Sequence, residues 1–254
     1  MREPDEHEKP VTGEIRAALD DVADIGPFFA ASANPAEVVD DSWRPLRELY
    51  TDPDPLAGRI RQVAEVLGGT DPRVAASITY QGLAARLVSP VLAVAAVHGL
   101  VPSWSPDSLH WRHAVAGPLP LWESAAEPLA RPDPAELPAL VTEVAAVLVQ
   151  PHLEALADAV RAAVSVSRRT LRGNAASAVV AAGAMVARAR PAAEERAQAL
   201  VAGLLAAGPL VGAGTLTGRW AFRRRSCCLY YRVPGGGLCG DCVLTDRPAR
   251  STMR

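Results

Sequence analysis

Apolar residues recur three and four positions apart along most of this chain, and that spacing commits it to amphipathic helices packed against one another. Ile15, Leu19 and Val22 mark a short first helix, and Leu56, Ile60, Val63 and Leu67 mark a second. Asp54-Pro55 caps the second helix, and Asp71-Pro72 repeats the signal: a side-chain oxygen takes an orphan N–H while proline is preset for the first helical position. The helix that starts there runs through Val74 and Ile78 towards Ser89, with Gly68-Gly69 separating it from its predecessor. Farther on, Leu140, Val144, Val147 and Leu148 share one helical face, and after Pro151 the set Leu153, Leu156, Val160 and Val164 does the same. Alanine-rich helices follow at about 174–189 and 192–207. Alanine occurs 48 times and lysine once, at Lys9, a bias of codons rather than of function.

The texture changes between Leu109 and Trp122. Leu109, Trp111, His113 and Val115 alternate, Gly117-Pro118 makes a turn, and Leu119 and Leu121 alternate again, which reads as a β-hairpin. The stretch Glu127 to Pro138 carries four prolines and marks a boundary. The expected architecture is therefore mainly α with a small β element (α+β). Residues 1–138 form an N-terminal helical region with a hairpin near 109–122, residues 139–218 a second helical region, and residues 219–254 a cysteine-bearing C-terminal segment.

Charge excludes one class of partner. Twenty-six basic residues against 28 acidic ones give a net charge of -2, without the global basic excess of a nucleic-acid coat. Residues 1–54 hold 14 of the acids and five of the bases, so the positive field belongs to the remainder. The opening MREPDEHEKP is acidic and no apolar h-region follows it, so a cytoplasmic protein is expected. Leu87 to Pro106 lacks formal charge but contains Pro90, His98, Gly99 and Pro102, the pattern of a buried helix and a loop rather than of a transmembrane segment.

All four cysteines fall within 16 residues: Cys227-Cys228, ten residues, then Cys239-Gly240-Asp241-Cys242. Disulfides do not suit a reducing compartment. A metal site does, because the two residues inside Cys239-x-x-Cys242 let both sulfurs reach one ion, while Pro234 and Gly235-Gly236-Gly237 let the chain reverse. Four thiolates with no nearby histidine suit either structural Zn²⁺ or a [2Fe–2S] cluster. Paired short spacings favour zinc. The adjacent pair favours the two-iron cluster, since neighbouring cysteines project divergently. Arg219, Arg223, Arg224, Arg225 and Arg232 flank the first pair with no acid among them, and such a collar stabilises the more negative, reduced form of a cluster.

The tail RRSCCLYYRVPGGGLCGDC resembles the C-terminal [2Fe–2S] segment of the FhuF-like ferric siderophore reductases, in the Cys-Cys-x10-Cys-x2-Cys spacing, Arg224-Arg225-Ser226 before it, Tyr231-Arg232 and the Pro-Gly turn. The upstream stretch Ser167 to Asn174 is similar to that family's Leu-Trp-Gly-Asn segment, with Arg172 at the tryptophan position, and Val243 replaces a proline that often follows the last cysteine. The resemblance implies a cytoplasmic [2Fe–2S] protein that passes one electron to an iron(III)–siderophore so that iron leaves as iron(II). It also implies Cys227, Cys228, Cys239 and Cys242 as cluster ligands and a separate electron donor. Arg223, Arg224, Arg225, Tyr231 and Arg232 are the candidate substrate contacts.

Other signals are weaker. Gly212-Ala213-Gly214 with Gly218 has the wrong spacing for a dinucleotide fingerprint and reads as turn glycine. His110 and His113 fall on opposite faces of the expected strand, and His152 and Glu154 read as a helix start. Asn174 after Gly173 reads as a turn or cap residue. Two other functions compete: a zinc-stabilised binding module without redox activity, and a siderophore-binding or assembly protein, which requires an ATP site that no motif supplies.

Overall fold

The computed structural model describes residues 12–115, 117–125, 128–130 and 136–245. The helices are α1 (Thr12–Val22), α2 (Glu48–Thr51), α3 (Pro53–Val66), α4 (Pro72–His98), α5 (Leu137–Leu148), α6 (Ala155–Ala163), α7 (Arg168–Ala189) and α8 (Glu194–Leu205). The strands are short: β1 (Arg44–Pro45), β2 (Val101–Pro102), β3 (Leu109–Trp111), β4 (Leu121–Glu123), β5 (Pro128–Ala130), β6 (Gly214–Thr217) and β7 (Ala221–Arg224). The architecture is mainly α with a small β component, as the periodicity predicts.

Helix α4 is the axis of the bundle. It packs most extensively against α7 and also against α1, α3, α5 and α8. Its C-terminal half, from Leu87 on, is apolar on nearly every side, the composition of a helix with no solvent face there, and Val91 through Ala96 are fully buried. Asp71 caps it as expected, its carboxylate accepting from the Arg73 N–H at 2.8 Å. Its end differs from expectation. The helix does not stop near Ser89 but passes through Pro90 to His98. An internal proline costs about 3 kcal/mol in an isolated helix; here burial on all sides outweighs that, and the Ser89 hydroxyl donates to the Ala85 carbonyl one turn back. Two stretches, Pro72–His98 and Leu137–Ala163, have the length and composition to cross a membrane, and 78% of the apolar window in the first is buried inside this fold.

Helix α3 starts two residues earlier than expected, with Asp52 as cap and Pro53 at its first position. Helices α5 and α6 are joined by a π-helical turn, Val149–Glu154, that absorbs Pro151. His152 is therefore not at a helix start but is buried in that turn, its Nδ1 2.8 Å from the Tyr50 hydroxyl. Burial lowers its pKa to about 4. Arg86 on α4 is also buried, and donates to the carbonyls of Leu119, Phe28 and Ala30.

The expected hairpin is present, with His110 of β3 opposite Trp122 of β4, and β1 extends it on the β3 side. His110 packs at a tilt against Trp122 and His113 lies edge-on to Trp111. A second pair joins β2 to β5, and residues 131–135 of the proline-rich boundary lie outside the described residues. A third pair, β6 with β7, was not expected: Gly214 opposes Arg224 and Thr217 opposes Ala221. Gly212 and Gly218 serve its turns, both with positive φ. This hairpin lies against α7 and leads directly into the cysteines.

Candidate iron–sulfur site

Strand β7 alternates, and its alternation decides which arginine enters the protein. Phe222 and Arg224 point to the inner face while Ala221 and Arg223 point out. Arg224 is 1% exposed, which corrects the expectation that it contacts a substrate. Its Nε donates to Asp241 Oδ2 at 3.1 Å, and its Nη1 donates to Asn174 Oδ1 at 2.7 Å. Its backbone N–H donates to the Asp241 carbonyl at 3.1 Å. Arg224 Nη2 is buried without a partner among the described residues.

Asn174 is neither a turn nor a cap. It is fully buried in the middle of α7. Its Nδ2 donates to the carbonyl and hydroxyl oxygens of Ser77 on α4, and the Ser77 hydroxyl donates to the Cys228 carbonyl at 2.8 Å. A continuous polar chain thus runs from Asp241 through Arg224, Asn174 and Ser77 to Cys228, tying the tail to the two central helices. Beside it, Gly173 has no side chain where a Cβ would lie 2.2 Å from Ser226 Oγ. That approach lets Ser226 donate to the Arg169 carbonyl at 2.9 Å, while Arg169 donates to the Arg225 carbonyl.

The four cysteines are free thiols, Cys228 buried and the others half-buried. The sulfurs of Cys228 and Cys239 lie 3.5 Å apart and share a hydrogen bond. That bond lowers the Cys228 thiol and raises Cys239. Burial raises Cys227, against the amide of Leu229. Two sulfurs on one tetrahedral metal with bonds of about 2.3 Å are separated by about 3.8 Å, so the Cys228–Cys239 spacing suits a shared metal atom.

Three sulfurs accept an amide from two residues farther along the chain. Leu229 N–H donates to Cys227 Sγ at 3.3 Å and Leu244 N–H to Cys242 Sγ at 3.4 Å, and the Tyr230 amide faces Cys228. Leu229, which lies between the amides on Cys227 and Cys228, adopts a left-handed conformation, φ 70°. Such donors stabilise thiolates and raise the potential of a cluster they ligate. Among the described residues, no three His, Cys, Asp or Glu side chains converge on one point as a single-ion site. The arrangement is a sulfur pair with two flanking thiols on an amide-lined loop, a four-thiolate donor set of the kind that holds Zn²⁺ or an iron–sulfur cluster.

Asp241 sits inside the Cys239-x-x-Cys242 turn, which closes with the Cys242 N–H on the Cys239 carbonyl. Burial pushes its carboxyl up, but Ser177, Arg224 and Cys239 together hold it below the ordinary value. Two of the five flanking arginines therefore have acid partners that the local sequence does not show: Arg224 pairs with Asp241, and Arg219 with Glu194. Arg223, Arg225 and Arg232 are exposed and have no carboxylate partner among the described residues, and Tyr231 is half-buried.

Fold and site together define a mainly helical protein with a four-cysteine segment docked on its central helices. Residues 224–244, which contain all four cysteines, match the family model for the FhuF 2Fe-2S C-terminal domain, and this supports a FhuF-like assignment. No curated protein matches the chain.

Proposed function

We propose that this protein is a cytoplasmic ferric siderophore reductase, with Cys227, Cys228, Cys239 and Cys242 holding one [2Fe–2S] cluster and residues 219–254 forming the cluster-binding segment. The observation that carries the reading is the coincidence of the FhuF-type match with a cluster of sulfurs lined by amides and anchored on α4 and α7. When bound, the cluster supplies one electron at a time. Hydroxamate and catecholate oxygens are hard anionic ligands that hold Fe³⁺ more strongly than Fe²⁺, so one electron loosens the chelate.

The residues of this chain have three tasks in that chemistry. The Leu229, Tyr230 and Leu244 amides and the buried Arg224 hold negative charge at the sulfurs. The Asn174–Ser77 chain fixes the loop on the helices so that little rearrangement accompanies electron transfer. The exposed Arg223, Arg225 and Arg232 attract anionic chelates. No group here is asked to move a proton. Electrons come from a separate donor protein or small reductant.

The test is iron and acid-labile sulfide on anaerobically purified protein, followed by mixing of the reduced protein with a ferric siderophore and an iron(II) trap. Equal iron and sulfide with trapped iron(II) is the expected result. A colourless zinc protein overturns the reading in favour of a structural binding module.

A further inference from the structure

Beside the cysteines, a cleft of about 530 Å³ opens between α7 and the β6–β7 hairpin. We propose that this cleft seats the ferric chelate, and that it selects chelates of net negative charge with flat or apolar flanks. The proposal rests on the reductase reading and supplies the substrate position that reading lacks.

The wall on the α7 side is built from small residues, Ala181 and Ala184, which leave the space unfilled. The opposite wall carries Trp220 and Phe222, and the floor ends at Cys242. The indole is held in place by close packing: a Cβ on Gly183 would lie 2.7 Å from the Trp220 ring and 2.5 Å from Val201. The volume lies within the range of about 300–1,000 Å³ typical of ligand pockets. Two aromatic side chains across from Val180, Ala181 and Ala184 suit a ligand with apolar or aromatic flanks.

Charge sets the sign of the ligand. Among the described residues Asp241 is the one acid lining the cleft, and it is already paired with the buried Arg224. Arg223 lines the same cleft, is exposed, and makes its described hydrogen bond only to the Val243 carbonyl. An anion entering the cleft therefore meets a cation that no carboxylate among the described residues offsets. Because Cys242 lines the cleft, a chelate seated there lies beside one of the four thiols.

Gallium(III) complexes test this without turnover, since gallium(III) binds the same chelators but does not accept the electron. Cluster-loaded protein is titrated with a trianionic gallium tris-catecholate and a neutral gallium tris-hydroxamate by calorimetry. Ala181→Leu, which fills the cleft from an exposed position, should weaken both at least tenfold. Arg223→Gln should weaken the trianion several-fold and the neutral complex less than twofold. Arg61→Gln, the same charge change at an exposed position of α3 outside the cleft, should alter neither by more than twofold. Visible absorption reports cluster content and folding of each variant. If wild-type protein reduces ferric chelates and all three variants bind the gallium complexes like wild type, the cleft assignment is wrong while the reductase reading stands. If wild-type protein neither binds the complexes nor releases iron(II), both fall.

Discussion

Asn174 and Arg224, 50 positions apart, meet at 2.7 Å inside the protein, and that hydrogen bond joins the central helix pair to the cysteine segment. Arg224 is a buried cation whose charge is offset by Asp241 and whose planar fork is shared with Asn174. Removing one partner from such an arrangement leaves polar groups buried and unpaired, at a cost of several kcal/mol.

Asn174→Leu should therefore destabilise the fold by about 3 kcal/mol, because it strands Arg224 Nη1 and takes one donor from each Ser77 oxygen. Its second effect is local. With Ser77 no longer oriented, the Cys228 loop loosens and any bound iron should be lost faster to a chelator. Urea unfolding and iron-release half-life measure the two effects. A stable variant that keeps iron as long as wild type removes the anchoring role from this residue.

How far this was legible in the sequence differs from residue to residue. The cysteine spacing and the Asp71-Pro72 cap are local signals that need no tertiary contact. Arg224 is not local. In the run Arg223-Arg224-Arg225 all three read as one solvated collar, and only strand alternation separates them, placing Arg224 with Phe222 on the inner face. Strand β7 is four residues long, too short to announce its period. Asn174 is similar: beside a glycine it carries turn propensity, yet Gly173 serves close approach of Ser226 within an unbroken helix. Pro90 misleads for the same reason, since burial around α4 overrides a local helix breaker.

Arg86 provides a second stability test. Its guanidinium is buried among the backbone carbonyls of Phe28, Ala30 and Leu119, with burial lowering its pKa to about 10, so it remains charged at neutral pH. Arg86→Met should cost about 3 kcal/mol or more, since three carbonyls lose their donor together. Arg86→Lys should recover part of that loss, because an ammonium cannot reproduce the planar fork. Chemical denaturation of both variants checks the order; equal stability of Met and wild type contradicts it.

His152 makes stability depend on pH. Its pKa is about 6.5 in an unfolded chain and is lowered to about 4 in the fold by burial, against an opposing contact with the Trp104 carbonyl. Between those values the unfolded state takes the proton and the folded state does not. The stabilisation is thus complete above about pH 6.5 and is lost as pH falls towards 4, by on the order of 3 kcal/mol. Unfolding free energies from pH 4 to 7 should show this slope, and His152→Gln should flatten it while leaving the cysteine site unchanged.

Each of Cys227→Ser, Cys228→Ser, Cys239→Ser and Cys242→Ser should lose iron and sulfide and abolish iron(II) release, because four thiolates are needed to close two metal coordination spheres. Far-UV circular dichroism should change little, since one contiguous buried core from Ile15 to Leu210 lies outside the cysteine segment. Wild-type iron and sulfide in two or more of the variants contradicts the ligand set.

The exposed arginines give the last test, and the structure narrows which ones to use. Arg224 is excluded because its removal damages the fold. Arg223 and Arg225 have no carboxylate partner among the described residues and flank the first cysteine pair in sequence. A reduced cluster carries one more negative charge than an oxidised one, so nearby cations favour reduction and their loss lowers the potential. In water these charges are screened within about 8–10 Å at ordinary ionic strength. The double variant Arg223→Gln/Arg225→Gln should accordingly lower the potential by roughly ten to a few tens of millivolts at low salt, on a scale where about 59 mV is a tenfold change in a one-electron equilibrium. The difference from wild type should shrink as salt is raised, because screening weakens the field of the exposed charges while leaving that of Arg224 largely intact. Redox titration of both proteins at two ionic strengths measures it, and a potential that does not move at low salt shows that the exposed arginines exert no field at the cluster.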